Sequence, residues 1–120
     1  MEGWLEKQGT VFKSWKKRFF VLYPDGDDKL YLRYYTGEDK MNEKGFFRII
    51  IDSTVSSLDD GYGGGKRKCL FVLQAEGNKN KAVLLLSASS EDEKQEWIDA
   101  IQQGIDKIRE IVEASWEEQS

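Results

Sequence analysis

Four basic residues and one tyrosine are spaced so that their side chains could act together on an anionic group. They are Lys7, Lys16, Arg18, Tyr34 and Lys44. An arginine guanidinium can donate two hydrogen bonds to one phosphate group, and a lysine ammonium acts as a point charge beside it. Gathering like charges costs electrostatic energy, which a bound anion would offset. If these side chains converge, they predict a site for a phosphorylated ring.

The elements that must position these residues are short strands. Through residue 90, apolar runs alternate with turn residues such as Pro24, Gly26 and Gly77, a pattern typical of an all-β sheet or barrel. We expect seven strands, at Gly3–Gln8, Trp15–Tyr23, Lys29–Tyr35, Gly45–Ile51, Thr54–Leu58, Lys68–Ala75 and Lys81–Ala88.

The periodicity becomes helical after Ala88. Ser90 and Glu93 have the spacing of a capping box, in which both side chains accept hydrogen bonds from free backbone N–H groups. Apolar residues then recur at helical intervals. They are Trp97, Ile98, Ile101, Ile105 and Ile108. We expect a long amphipathic helix packed on the strands, with its later turns extending past the domain.

Strand alternation predicts where the basic side chains meet. Residues two apart on a strand share a face, so each predicted face is apolar along most of its length and polar at one end. That polar end comes late in the first strand, early in the second and late in the third, and an antiparallel meander places these ends together. We expect Lys7, Lys16, Arg18 and Tyr34 to converge, with Lys44 entering from the same edge.

The composition favours a single binding domain over an enzyme. The chain has 120 residues, no histidine and one cysteine, Cys69, which removes the usual general base and any thiolate zinc site. Two acidic pairs, Asp27-Asp28 and Asp59-Asp60, lie in polar turns without an activated nucleophile. We expect no catalysis, cofactor or metal. No apolar run approaches the ~20 residues of a membrane span, and no signal sequence opens the chain, which favours the cytoplasm.

Charge is distributed unevenly along the chain. The net charge is −4, yet ten acidic and three basic residues lie from Glu91 to Ser120, so the first ninety residues carry +3. Such polarity can orient a domain over a negatively charged surface. The acidic helix would repel a nucleic acid backbone, so we expect no nucleic acid partner.

Several spaced motifs resemble a pleckstrin homology domain. They are Gly3-Trp4-Leu5 followed by Lys7, the run from Trp15 to Leu22, the run from Leu32 to Tyr35, Lys44-Gly45, and the helical Trp97. The resemblance covers residues 2–109 and leaves 110–120 as a helical extension or linker. It implies a mainly β fold, a seven-stranded barrel of two nearly orthogonal antiparallel sheets capped by a C-terminal helix.

The resemblance also implies a function. Tightly binding family members carry a lysine followed, after a gap, by a basic residue, any residue and an arginine, and Lys7, Lys16 and Arg18 complete that pattern. Tyr34 and Lys44 match positions that contact inositol phosphates in members selecting 3-phosphorylated lipids. We therefore expect a non-enzymatic phosphoinositide-binding module, leaning to 3-phosphorylated lipids, that recruits its parent protein to the cytoplasmic face of the plasma membrane or an endomembrane. A histidine that some of those members use has no counterpart here, which leaves the 3,4,5-trisphosphate, 3,4-bisphosphate and 4,5-bisphosphate lipids all open.

Two loops extend the predicted ligand surface. Val11, Phe12 and Lys13 lie between the first two strands and are candidates for membrane contact, unless Phe12 folds back over its loop. In the family, the loop from Gly77 to Lys81 faces the ligand, which makes Lys79 and Lys81 candidates for additional anion contacts.

A different function is also consistent with the sequence. The fold serves peptide recognition as well as lipid binding, so the alternative is a protein–protein interaction module of an adaptor or signalling protein with weak lipid binding. The acidic helical extension, with Trp116 near its end, is the surface that such a partner would contact.

Overall fold

The computed structural model describes residues 1–9 and 13–119, with side chains through residue 117. The elements in chain order are β1 (Glu2–Gln8), β2 (Trp15–Pro24), β3 (Leu30–Tyr35), β4 (Glu43–Ile49), β5 (Thr54–Ser57), β6 (Leu70–Glu76), β7 (Lys81–Ser87) and the helix α1 (Glu91–Gln119), with one 3-10 turn at Tyr62–Gly64 between β5 and β6. Each predicted strand is present, and its ends lie within two residues of the expected ones.

The strands close into a barrel. They are hydrogen-bonded in the order β4-β3-β2-β1-β7-β6-β5, with every pair antiparallel. A further antiparallel contact between β4 and β6, with Arg48 opposite Glu76, joins the strand at one end of the sheet to the second strand from the other end. The expected closed barrel of antiparallel strands with a C-terminal helix is confirmed.

Alternate residues of the strands fill the barrel. The inward side chains include Leu5, Phe20, Leu32, Phe71 and Leu73, each no more than 2% exposed. Burying an aliphatic or aromatic side chain of this size stabilises the fold by about 1.5–3 kcal/mol. The helix adds Trp97, Ile101 and Ile105 to the same cluster, so α1 packs against the strands as part of the hydrophobic core.

The start of α1 uses both members of the predicted capping box, though differently. The backbone N–H of Glu93 donates to Ser90 Oγ at 3.1 Å, as expected for an N-cap serine. The Glu93 carboxylate accepts a hydrogen bond from the Ser89 hydroxyl. Glu93 is therefore hydrogen-bonded to Ser89, the residue that precedes the N-cap serine.

The helix passes very close to β3. A Cβ built on Gly104 would lie 2.2 Å from Leu30 Cδ1, so the missing side chain lets α1 approach the strand.

The buried part of α1 ends soon after Gly104. Ile108 is 3% exposed, whereas Trp116 is 61% exposed. The helix continues without a break, and the domain boundary after residue 109 stays a prediction.

Candidate anion-binding site

The register of the first three strands places the predicted basic residues on one face. Lys7 lies opposite Lys16 on β2, and Leu5 lies opposite Arg18. Residues paired across an antiparallel ladder point to the same side. Leu5 is buried in the core, so Lys7, Lys16 and Arg18 continue the inward face toward its open, polar end.

Lys44 reaches that end because of a β-bulge. Tyr34 pairs with Gly45, but Tyr35 pairs with Glu43, which leaves Lys44 as the extra residue of the ladder. Strict alternation from Gly45 would direct Lys44 to the outside of the barrel. The bulge changes the direction of its side chain. The sequence prediction began this strand at Gly45 and did not include the bulge.

The predicted residues line one cavity of about 250 Å³. Its lining comprises Lys7, Gly9, Lys16, Arg18, Tyr34 and Lys44. We call it the basic cavity. Gly9 was not among the predicted residues. The position of a glycine just past the end of a strand was the available signal, because backbone without a side chain leaves room for a ligand to approach.

Aromatic rings form the base of the basic cavity. Tyr34 stacks between Phe20 and Phe47, with ring centroids 5.3 and 5.8 Å away and interplanar angles of 22° and 11°. Lys7 Nζ lies 5.6 Å from the Tyr34 centroid and 6.0 Å from that of Phe47. Phe47 was not predicted as a site residue. The available signal was its position two residues after Gly45, which puts both residues on the same face of the strand. The Lys7 ammonium therefore makes cation–π contacts with both rings.

The cations of the basic cavity have no acidic partner among the side chains that the structure describes. Among residues 1–9 and 13–117, Lys7, Lys16, Arg18 and Lys44 form no ion pair with a carboxylate. Arg18 Nη1 donates to the Lys17 carbonyl at 2.9 Å, and Lys7 Nζ donates weakly to the Gln8 carbonyl at 3.5 Å. The cavity therefore holds concentrated positive charge that nothing in the described chain neutralises.

Two titratable groups in the cavity are perturbed. Burial, and secondarily the charge of Arg18, lowers the pKa of Lys7. Burial also raises the pKa of Tyr34, although Arg18 acts in the opposite direction. Tyr34 consequently stays a neutral hydroxyl that can donate a hydrogen bond, and Lys7 is destabilised as an ammonium mainly by its burial and also by Arg18.

A larger cavity, of about 790 Å³, lies beside β1 and the start of α1. Its walls mix cations with acids, and Arg67 is ion-paired with Glu6 and stacked on Trp15 with 4.9 Å between the guanidinium carbon and the ring centroid. Its charges are largely compensated, so size alone does not make it the better anion site.

The remaining predicted contacts do not line the basic cavity or fall outside the described residues. Lys81 lines a separate cavity of about 220 Å³ together with Asp52 and Glu76. Neither Lys79 nor Lys81 belongs to the lining of the basic cavity. Lys13 is exposed, lies just before β2 and is not part of that lining. Val11 and Phe12 lie outside the described residues, and their membrane role stays a prediction.

The family model for the PH domain matches residues 1–106. This chain belongs to the PH domain family. Switch-associated protein 70 of Gallus gallus is 36% identical over 110 residues, covering 90% of this chain and 16% of that protein. Pleckstrin-2 of Mus musculus is 34% identical over 105 residues, covering 83% and 28% respectively. This chain thus spans less than a third of the length of either relative.

A solved PH domain has the same fold and holds an inositol phosphate. The C-terminal PH domain of pleckstrin, crystallised with D-myo-Ins(1,2,3,5,6)P5, superposes with a TM-score of 0.69 at 28% identity, covering 88% of this chain and 93% of that one. PH domains are binding modules and not a catalytic family. Among the described residues, no helix has the length and hydropathy needed to cross a membrane.

Proposed function

We propose that this PH domain binds phosphoinositide headgroups in the basic cavity, through Lys7, Lys16, Arg18, Tyr34 and Lys44. The observation that carries the proposal is the convergence of four cations without an acidic partner among the described residues. Repulsion among these cations is relieved when phosphate groups enter. The inositol pentakisphosphate bound by the pleckstrin PH domain supports this class of ligand.

Different side chains of the basic cavity would contact different phosphate groups of the headgroup. Arg18 is the residue that can donate two parallel hydrogen bonds to one phosphate, and Lys16, on the same strand face, supplies a second charge two residues away. Tyr34 provides a neutral donor and its ring supports Lys7. Lys44 approaches from β4, so phosphates at different ring positions meet cations from three strands.

The finer proposal is a preference for 3-phosphorylated phosphoinositides. It is supported by the presence of Tyr34 and Lys44 in the cavity lining, on the side formed by β3 and β4. Comparing soluble headgroups that differ by the 3-phosphate tests it. The preference requires tighter binding of inositol 1,3,4,5-tetrakisphosphate than of inositol 1,4,5-trisphosphate, and Lys44→Ala should remove most of the difference.

We also propose that headgroup binding recruits the parent protein to a cytoplasmic membrane face. The positive net charge of the first ninety residues and the exposed Lys13 just before β2 support attraction to anionic lipid. Sedimentation with vesicles of phosphatidylcholine, with and without a few per cent of phosphoinositide, tests this step. Binding that ignores the phosphoinositide would contradict it.

The decisive experiment is calorimetric titration of the wild type and of Lys16→Ala/Arg18→Ala with soluble inositol phosphates. Charge-assisted hydrogen bonds contribute about 1.5–3 kcal/mol each, so the double variant should lose affinity by more than about tenfold. The matched control is Lys29→Ala/Lys107→Ala, which removes the same charge away from the cavity. Equal binding by a folded Lys16→Ala/Arg18→Ala variant would disprove the site.

The exposed Trp116 favours a second candidate, a protein partner at the end of α1. At 61% exposure it lies beyond the last fully buried helical residue, Ile108. Exposed tryptophan side chains are common anchors of protein interfaces. Crosslinking that survives the Lys16→Ala/Arg18→Ala change but is lost after deletion of 110–120 would support this candidate over lipid binding.

A further inference from the structure

Lys7 differs from the other cations of the basic cavity in its surroundings. Its amine is half-buried above the rings of Tyr34 and Phe47, at 5.6 and 6.0 Å from their centroids. The weak contact from Nζ to the Gln8 carbonyl, at 3.5 Å, is its hydrogen bond within the described residues. Lys16 is exposed, and Arg18, half-buried like Lys7, has its guanidinium hydrogen-bonded to the Lys17 carbonyl.

Although the rings of Tyr34 and Phe47 favour its positive charge, the polar groups of the described residues that face Lys7 are cationic or neutral. On β2 these are Lys16 and Arg18, on β3 the Tyr34 hydroxyl and on β4 Lys44. On its other side, β7 places the apolar Leu86 opposite Lys7 in the ladder. Burial and the Arg18 charge lower the Lys7 pKa, which raises the fraction of unprotonated amine at a given pH. An amine that is desolvated or next to another cation is the kind that forms imines with carbonyl compounds.

We propose that Lys7 is a nucleophile within the basic cavity and that it captures phosphate-bearing aldehydes as a reversible imine. The inference rests on the proposed function, because the cations that would hold a lipid phosphate also hold the phosphate of the aldehyde. Lys16, Arg18 and Lys44 bind the anionic end, and the aldehyde carbon then lies within reach of the Lys7 amine. Anion recognition and amine reactivity in one cavity select this class of compound over simple aldehydes.

The chemical step needs no further reactant. The lone pair of Lys7 Nζ adds to the carbonyl carbon, and proton transfer to the carbonyl oxygen gives a carbinolamine. Loss of water then forms the C=N bond in place of the C=O bond, and hydrolysis reverses the step. No electrons are exchanged, and Lys7 carries the only new covalent bond.

The test treats the full chain with pyridoxal 5′-phosphate, traps imines with sodium borohydride, which reduces C=N by hydride transfer, and locates the modified lysines by peptide mass spectrometry. Lys7 should be labelled at least several-fold faster than Lys107, an exposed lysine on α1. Pyridoxal, which lacks the phosphate, should show a clearly smaller preference for Lys7. An excess of inositol hexakisphosphate should suppress labelling of Lys7 and leave labelling of Lys107 unchanged.

Two variants make the result specific. Lys7→Arg cannot form an imine and should lose the preferred product, whereas Lys107→Arg should keep it. Equal labelling of Lys7 and Lys107 in the wild type would overturn the inference even if calorimetry shows inositol phosphate binding. Failure of calorimetric binding would instead overturn the proposed function, and the ratio of Lys7 to Lys107 labelling by the two aldehydes would still decide the inference.

Discussion

Gly45 lies directly against the ring of Tyr34, its partner across the β3–β4 ladder. A Cβ added at Gly45 would lie 2.8 Å from the Tyr34 hydroxyl oxygen and 3.0 Å from Cζ. The ring cannot easily yield, because Phe20 and Phe47 stack on it. Gly45 therefore determines where Tyr34, and with it the base of the basic cavity, is positioned.

Gly45→Ala should displace Tyr34 and weaken inositol phosphate binding. Overpacking a well-packed site costs about 1–3 kcal/mol, and we expect a loss of stability in that range by urea denaturation. Gly65→Ala is the control, since nothing lies within 4 Å of its added Cβ and its φ is −88°. Unchanged binding and stability in Gly45→Ala would show that Tyr34 can move without consequence.

Anion binding should weaken as the pH rises through the alkaline range. The pKa of Lys7 in the free protein is lowered from its ordinary value near 10.5, so the ammonium begins to lose its proton below that pH. An anion binds the protonated form better, so affinity falls as Lys7 deprotonates, whereas the raised pKa of Tyr34 keeps that hydroxyl neutral for longer. Titrations between pH 7 and pH 10 should show a steeper fall for the wild type than for Lys7→Arg. Parallel curves would contradict the assignment.

Headgroup affinity should depend on salt because the cations of the basic cavity form no ion pair with any described carboxylate. The Debye length shrinks from about 10 Å at 0.1 M to about 3 Å at 1 M salt. We expect the dissociation constant for inositol hexakisphosphate to rise several-fold between 0.1 and 0.5 M NaCl, with a smaller rise for Arg18→Ala. A salt-independent constant would mean that the cations do not contact the ligand.

Lys94 should be important for stability. It is 5% exposed, and its ammonium donates to the Leu58 carbonyl at 3.2 Å and lies 3.5 Å from Glu91 Oε2, joining α1 to the end of β5. Lys94→Ala leaves that carbonyl without its side-chain donor and should cost about 1–3 kcal/mol in urea unfolding. Lys107→Ala, on the exposed face, should stay within about 0.5 kcal/mol. Similar values for both variants would refute a structural role for Lys94.

Much of the fold was predictable because it depends on local pattern. Alternating apolar residues predicted the strands, and helical spacing from Trp97 to Ile108 predicted α1. The same alternation placed Lys7, Lys16, Arg18 and Tyr34 on one face, since parity within a strand and antiparallel pairing require no knowledge of distant contacts. The family resemblance then supplied the barrel and the expected ligand.

Tertiary structure decided what depends on register and on neighbours distant in sequence. The bulge that redirects Lys44 arises from how β3 and β4 pair, and alternation along one strand could not include it. The fit of Gly45 to Tyr34, the stacking of Phe47 beneath Lys7 and the distance of Lys81 from the basic cavity likewise depend on packing. The sequence by itself determined which cations share a face. Only the closed barrel decided which of them meet around one cavity without an ion-paired acid in the described part of the chain, because charge compensation is a property of three-dimensional proximity.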